Sequence, residues 1–257
     1  MAFELKPYQK RCKKELEKYF QRTTELQNAD LAFYEQVKRK YYPIKALEGL
    51  PYVCVRVPTG GGKTALAAYS VGTAAENLLR TERCLVLWLA PTTQIVEQTL
   101  KALQDKRHPY RQALDSSFDG CVSVMDIKAA LGLQRGILDS DTVIIVSTMA
   151  VMRVENTDGR KIYDDSGILM SNFENLTDEQ KSFLETGNGQ GQPARSLANV
   201  LRLKRPIIIV DEAHNARTPL SFESLARFKP SCILEFSATP SQDDKGGNKP
   251  SNVLTHV

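Results

Sequence analysis

Short apolar runs alternate along the chain with segments whose apolar residues recur at helical spacing. Six of the runs are strand-sized, almost continuously apolar and bounded by turn residues: Tyr52–Val57, Cys84–Ala90, Cys121–Val124, Thr142–Ser147, Pro206–Val210 and Cys232–Ser237. Continuous apolarity is typical of strands that are buried on both faces, as they are in parallel sheets. The pattern therefore predicts an α/β fold, with a mostly parallel sheet and helices on both faces.

Helical patterns fill the intervals between these strands and the region before them. Those in the intervals are Thr64–Leu79, Thr93–Gln104, Asp126–Leu131 and Ser196–Leu203. Residues 1–50 are predicted to form an N-terminal helical segment, because Pro7 suits the start of a helix and the helical pattern continues to Phe20. A second helix is expected from Asp30 to about Lys40.

Changes in composition predict the domain boundaries. Residues 51–240 are expected to form one α/β lobe. Residues 153–193 are polar and rich in Asn, Asp, Gly and Gln, which predicts a surface insertion with one or two short helices and a flexible tip. Residues 241–257 are predicted to be a polar tail.

Composition and charge leave the class of partner open. The chain has 257 residues, of which 42% are hydrophobic, and its net charge of +4 is compatible with nucleic-acid binding without arguing for it. No apolar run is as long as a membrane span, and the N-terminus has no apolar signal core, so we expect a cytoplasmic protein with no membrane partner. The five cysteines form no C-x-x-C pair and are expected to be structural thiols.

The strongest chemical signal is Pro58–Thr64, which follows the first predicted strand and opens a helix. Consecutive glycines let the backbone fold tightly, so that its N–H groups converge on phosphate oxygens at the positive end of the helix dipole. Lys63 is suited to neutralise the β- and γ-phosphates, and the Thr64 hydroxyl to hold Mg²⁺. Val57 stands where the strict motif has its first glycine. We predict that ATP is bound by Thr59, Gly60, Gly61, Gly62, Lys63 and Thr64.

A second signal is the acidic pair Asp211–Glu212, at the carboxyl end of a buried strand. Parallel α/β sheets bind their ligands at this edge. Asp211 is expected to hold Mg²⁺ beside Thr64, and Glu212 to orient and polarise the attacking water. With Lys63, these two are the predicted catalytic residues. His214 is expected either to couple the ATP site to Ser237 and Thr239, which follow the next strand, or to be an ordinary polar loop residue.

Pro58–Thr64, Asp211–His214 and Ser237–Thr239, in this order, resemble the first RecA-like lobe of superfamily 2 helicases and translocases of the DEAD/DEAH type. The resemblance covers most of the chain and implies a RecA-like P-loop NTPase fold. It also implies that Gln9, within Leu5–Gln9, contacts adenine. Two further segments resemble those with which the family touches the nucleic-acid backbone; their residues here are Pro91, Thr92, Thr93, Gln94, Ser147 and Thr148.

Residues at strand ends with helix N-termini behind them suit contacts to phosphate oxygens. A motor that moves along any sequence needs such contacts, because the phosphate backbone is the same at every base. Thr92 and Thr93 have an alternative role as caps of the helix that follows. Both roles can coexist.

Within the superfamily, residues 210–217, 226–228 and 236–240, together with the Pro58–Thr64 variant of the loop, look most like the restriction subunits of type III restriction–modification systems. That resemblance implies a motor on duplex DNA, ATP with Mg²⁺ as cofactor, and a modification subunit as a possible partner. Motors of this superfamily bind ATP between two RecA-like lobes, and the second lobe supplies arginines. We therefore expect a second lobe, in a longer chain or another subunit, and weak or no turnover without it.

Two other functions remain open from the sequence. The first is a non-catalytic module in which nucleotide binding only switches contact with a partner. Lys63, Thr64, Asp211 and Glu212 together argue against it, because a pure binder does not need the water-positioning Glu212. The second is the lobe of an RNA helicase, since contacts to the backbone dominate in both kinds of motor.

Overall fold

The computed structural model describes residues 4–43, 47–152, 161–187, 192–211, 219–241 and 250–256. Within these ranges seven strands form one sheet: β1 (Tyr52–Arg56), β2 (Leu85–Ala90), β3 (Val122–Asp126), β4 (Thr142–Thr148), β5 (Ile207–Asp211), β6 (Cys232–Ser237) and β7 (Val253–His256). Their order is β3-β4-β2-β5-β6-β1-β7, and every neighbouring pair is parallel. The predicted α/β fold with a parallel sheet is confirmed.

The helices that precede and connect these strands are α1 (Pro7–Leu26), α2 (Ala29–Val37), α3 (Lys63–Ala74), α4 (Thr93–Gln104), α5 (Pro109–Phe118), α6 (Ile127–Ala130), α7 (Arg135–Ser140), α8 (Met149–Met152), α9 (Asp178–Ser182), α10 (Leu197–Lys204) and α11 (Pro219–Arg227). A π-helical turn, Ala75–Leu79, extends α3, and a 3₁₀ helix spans Gly167–Phe173. None of the helices in the described ranges is both long and apolar enough to cross a membrane.

The sheet has a separate core on each face, because successive side chains of a strand point to opposite sides. One face carries Val53, Val86 and Trp88 and is covered by α1 to α5. The other carries Leu87 and Ile208 and is covered by α6 to α8, α10 and α11. Burial on both faces explains why these strands have almost no polar positions.

The N-terminal segment is part of the lobe rather than an appendage. Leu16, Tyr19 and Phe20 of α1 are fully buried in the same core as α3, the helix that follows the phosphate loop. The start of α1 is consequently held next to that loop.

A strand that the sequence pattern did not predict, β7, lies at the edge of the sheet beside β1. The side chain of Asn252, directly before it, is 1% exposed. Its amide donates to the carbonyls of Tyr42 and Tyr52, each at 3.1 Å, and its oxygen accepts from the Tyr42 N–H at 2.8 Å. This amide fastens the end of the described chain to the segment that leads into β1.

A buried carboxylate connects β1 to β6. Glu235, in the middle of β6, is 1% exposed. It accepts a hydrogen bond of 2.6 Å from the Tyr52 hydroxyl, and the Ser251 hydroxyl lies 3.4 Å from its other oxygen. Polar groups with hydrogen-bond partners are tolerated in a core where isolated ones are costly.

The segment predicted as a polar surface insertion also contributes side chains to the core. Ile162, Leu169 and Leu184 are each less than 9% exposed, although the residues around them are polar. The side-chain amide of Asn199 in α10 anchors the segment. Its oxygen accepts from the Glu185 N–H, and its nitrogen donates to the Glu185 carbonyl.

None of the five cysteines, all of which lie in the described ranges, forms a disulfide bond. Cys12, Cys54 and Cys232 are buried, and burial raises the pKa of the Cys84 thiol to about 12. Among the residues that the structure describes, no group of three or more His, Cys, Asp and Glu side chains is arranged to hold a metal ion.

Candidate nucleotide site

The predicted motifs meet at one edge of the sheet, because every strand is parallel and each motif follows a carboxyl end. The strand order places β5, with Asp211 at its end, between β2 and β6. Pro91–Gln94 follow β2, and Ser237 ends β6. The phosphate loop leaves β1, which is the next strand after β6. Such an edge is where open α/β sheets bind ligands.

The phosphate loop has the backbone geometry for which its glycines were expected. Gly60 and Gly62 both have φ of +76°, a conformation that side chains with a Cβ rarely adopt. The turn is closed by a hydrogen bond of 2.9 Å from the Gly61 N–H to the Pro58 carbonyl. Gly62 is the N-cap of α3, so the loop delivers Lys63 and Thr64 to the first turn of that helix.

The residues that follow the loop contact the end of β5, although β6 lies between β1 and β5 in the sheet. The Thr64 hydroxyl donates to a carboxylate oxygen of Asp211 at 3.4 Å. Asp211 is 7% exposed and Lys63 is 9% exposed, so both charged groups sit in a site with restricted access to water. A hydroxyl and a carboxylate at hydrogen-bond distance are oxygen ligands of the type that Mg²⁺ prefers, and the first turn of a helix favours anions.

A cleft of about 530 Å³ opens at this point. It is bounded by the phosphate loop, the end of β5, one face of α4 and the start of α5; the lining residues are Gly60, Gly62, Lys63, Thr64, Pro91, Ile95, Gln98, Thr99, Ala102, Tyr110 and Asp211. The contribution of α5 was not predicted, because the sequence pattern gave no helix there.

Two predicted residues, Glu212 and His214, lie outside the described residues. Their roles in positioning water and in coupling stay predictions. Asp211, directly before Glu212, is the last described residue of β5, so the chain enters this segment at the edge of the cleft.

Gln9 lies against the phosphate loop. It is 2% exposed, and its amide donates to the Gly61 carbonyl at 3.1 Å and accepts from the Lys6 N–H at 2.9 Å. Tyr8, which no sequence motif singles out, donates its hydroxyl to the same Gly61 carbonyl at 2.9 Å. The adenine contact of Gln9 stays a prediction. The sequence feature that could have indicated Tyr8 is its position directly before Gln9.

The predicted nucleic-acid segments lie at the carboxyl ends of the adjacent strands β2 and β4: Pro91–Gln94 follow β2, and Ser147 and Thr148 end β4. Thr92, Thr93 and Gln94 are exposed, and the Thr92 hydroxyl also accepts from the Ile95 N–H at 3.3 Å, which caps α4. Thr148 is half-buried, whereas Ser147 is 2% exposed. On β6, Ser237 is fully buried and accepts from the Thr239 N–H at 3.2 Å, while Thr239 is exposed.

A larger cavity, of about 820 Å³, shares no lining residue with this cleft. It lies within the segment of residues 163–196 and against Arg227. Glu185, at its wall, pairs with both Arg202 and Arg227, at 2.7 and 2.6 Å. Its lining includes none of the predicted site residues, so the phosphate loop and not the cavity's size identifies the nucleotide site.

The fold and the edge site define a RecA-like lobe with a phosphate loop. The family described as "Type III restriction enzyme, res subunit" matches residues 2–242, and the chain belongs to this family. The resemblance stated from the motifs is thereby confirmed. Membership implies a helicase-type lobe that binds nucleotide.

Two solved helicase structures are similar to the chain at low identity. The Pyrococcus furiosus Hef helicase domain is 16% identical with a TM-score of 0.39, over 88% of this chain and 36% of that one. The UvsW helicase from bacteriophage T4 is 12% identical with a TM-score of 0.37, over 88% of this chain and 66% of that one. The chain thus spans about a third of the first structure. No curated protein matches the chain.

Proposed function

We propose that the chain is the ATP-binding and ATP-hydrolysing first motor lobe of a DNA helicase or translocase in a type III restriction-like system. The observation that carries the proposal is the 3.4 Å contact between the Thr64 hydroxyl and Asp211, which links the phosphate loop to the acidic strand. Family membership supports it, because the family's description names the res subunit of type III restriction enzymes.

In this proposal each side chain has a role that phosphoryl transfer requires. Lys63, at the first position of α3, neutralises the β- and γ-phosphates. Thr64 and Asp211 hold Mg²⁺, which would offset the charge of the phosphate oxygens. Glu212 orients the attacking water. Phosphoryl transfer depends mainly on placement and charge. In this proposal the arginines of a second lobe complete the site, because they stabilise the charge on the transferring phosphoryl group.

The proposed motor moves along nucleic acid. Thr92, Thr93 and Gln94 are exposed at the same edge as the cleft and at the N-terminus of α4, where backbone N–H groups and polar side chains suit phosphate oxygens. The partners we propose are duplex DNA, the second lobe and a modification subunit.

The direct experiment measures ATP turnover by a chain that includes the second lobe, alone and with duplex DNA, single-stranded DNA or RNA. We expect the largest stimulation with duplex DNA. Stimulation by RNA alone would favour an RNA helicase, and no stimulation by any nucleic acid would contradict a motor.

Glu212→Gln tests the water-positioning role in the same chain. The substitution keeps the size of the side chain and removes its charge, so we expect turnover to fall by at least about 10²-fold while ATP affinity stays within about twofold. Glu179→Gln, at an exposed position on α9, is the matched control. Unchanged turnover in Glu212→Gln would favour a nucleotide-gated binding module.

A further inference from the structure

One carbonyl of the phosphate loop is held from outside the loop. The Gly61 oxygen accepts from the Tyr8 hydroxyl at 2.9 Å and from the Gln9 amide at 3.1 Å. A carbonyl oxygen has two lone pairs, so both bonds can be satisfied together. The start of α1 thus holds a single peptide group of the loop through two hydrogen bonds. We call these two bonds, from Tyr8 and Gln9 to the Gly61 carbonyl, the grip.

The grip fixes the direction of the neighbouring N–H. In a trans peptide the C=O and the following N–H point in opposite directions, so a Gly61 carbonyl held towards α1 aims the Gly62 N–H away from α1. Gly62 lines the cleft beside Lys63 and Thr64. Within the described residues the Gly62 N–H donates to no other group, which leaves it available to a phosphate oxygen.

Without the grip this peptide has little to hold its orientation. Both residues that flank it are glycines, and Gly62 already occupies a φ of +76°. Glycine lacks the Cβ that restricts backbone rotation, so turning the peptide over costs little sterically. A reversed peptide presents its carbonyl oxygen to the phosphates, which is repulsive.

We propose that Tyr8 is a positioning residue for phosphate binding, which acts by orienting the Gly61–Gly62 peptide. The proposal rests on the proposed function of the loop as an ATP site. It assigns Tyr8 no contact with the nucleotide. Gln9 shares the carbonyl, but its buried amide also bonds to Lys6, so the hydroxyl of half-buried Tyr8 is the part of the grip that can be removed cleanly.

The test is Tyr8→Phe in the complete chain, which keeps the ring and removes only the hydroxyl. Tyr34→Phe on α2 is the matched control, since Tyr34 is 54% exposed and its ring lies beside Lys38 of the same segment. Dissociation constants are measured for ATP, GTP and inorganic triphosphate with Mg²⁺, together with the thermal midpoint of the nucleotide-free chain.

We expect Tyr8→Phe to weaken ATP, GTP and triphosphate binding by the same factor, about three- to tenfold, as the loss of one hydrogen bond suggests. The nucleotide-free midpoint should match that of Tyr34→Phe. Equal factors are the signature of an effect on the phosphates, because reading of the base would separate ATP from GTP.

Two results would overturn the inference while leaving the ATP site intact. One is an unchanged ATP affinity in Tyr8→Phe, and the other is a loss confined to ATP. A lower midpoint with unchanged affinity would also overturn it, since Tyr8 would then only stabilise the fold. Absence of ATP binding by the unaltered chain would instead overturn the proposed function and the inference together.

Discussion

At the scale of single residues, Gly60 and Gly62 share a backbone conformation but differ in their surroundings. Both have φ of +76°, and a Cβ at Gly60 would meet nothing within 4 Å. A Cβ at Gly62 would lie 2.5 Å from the Gln9 amide nitrogen. Because the Gln9 amide donates to the Gly61 carbonyl, moving it away from such a Cβ would strain or break that bond.

This difference predicts unequal effects of alanine in the loop. Each substitution incurs the left-handed strain of about 1 kcal/mol, and Gly62→Ala in addition displaces Gln9. We expect Gly62→Ala to weaken ATP binding at least about tenfold more than Gly60→Ala. Gly136→Ala in α7 is the control, because its Cβ would meet nothing and its φ is not positive. Equal affinities in the two loop variants would contradict the packing argument.

Sequence alone predicted the loop residues because their spacing and their strand-to-helix setting are local. It could not predict which groups hold the loop in place. Tyr8 and Gly61 are 53 positions apart, and only the packing of α1 against α3 brings them together. The roles of Glu212 and His214 are still predictions.

At the scale of elements, the six strands predicted from continuous apolar runs are all present, whereas α5, α7, α8, α11 and β7 were not predicted. The buried face of α5 contains Arg111, which is 6% exposed and donates to the carbonyls of Leu103 and Val122. Because this charged residue occupies a position on the buried face, the apolar residues of α5 do not recur at regular helical spacing. β7 has four residues with little continuous apolarity, and its pairing depends on Asn252.

The anchoring of β7 predicts a large effect of Asn252→Ala. The change removes three hydrogen bonds and leaves part-buried backbone groups of Tyr42 and the buried carbonyl of Tyr52 without that partner. We expect the free energy of unfolding to fall by about 2–4 kcal/mol, measured by denaturant titration. Gln112→Ala removes an exposed amide from α5 and should change it by less than about 0.5 kcal/mol. Similar values for both variants would mean that the Asn252 bonds contribute no net stability.

At the scale of the whole molecule, the cleft lies at the edge of a continuous sheet, so occupancy of the site should stabilise the entire fold. A ligand that binds only the folded state at 100 times its dissociation constant adds about 2.7 kcal/mol. For a chain of this length that corresponds to a rise of about 5–10 °C in the thermal midpoint.

We therefore expect ATP with Mg²⁺ to raise the midpoint by that amount and ATP with a chelator to raise it less. The Mg²⁺-dependent part should disappear in Asp211→Asn, because the carboxylate beside Thr64 is lost. Asp119→Asn is a suitable control, since Asp119 is exposed and has a positive φ, which asparagine tolerates. A full Mg²⁺ effect in Asp211→Asn would show that Asp211 does not hold the ion.

The hydrogen bond between Tyr52 and Glu235 has a consequence for how the chain folds. If β6 paired with β1 one residue out of step, its side chains would change faces and Glu235 would move away from the Tyr52 hydroxyl. A buried carboxyl group that loses a hydrogen bond costs free energy, so the shifted register is less stable than the observed one. The Tyr52–Glu235 hydrogen bond therefore favours the observed register, in which the strand that ends at Ser237 is aligned with the strand that leads into the phosphate loop.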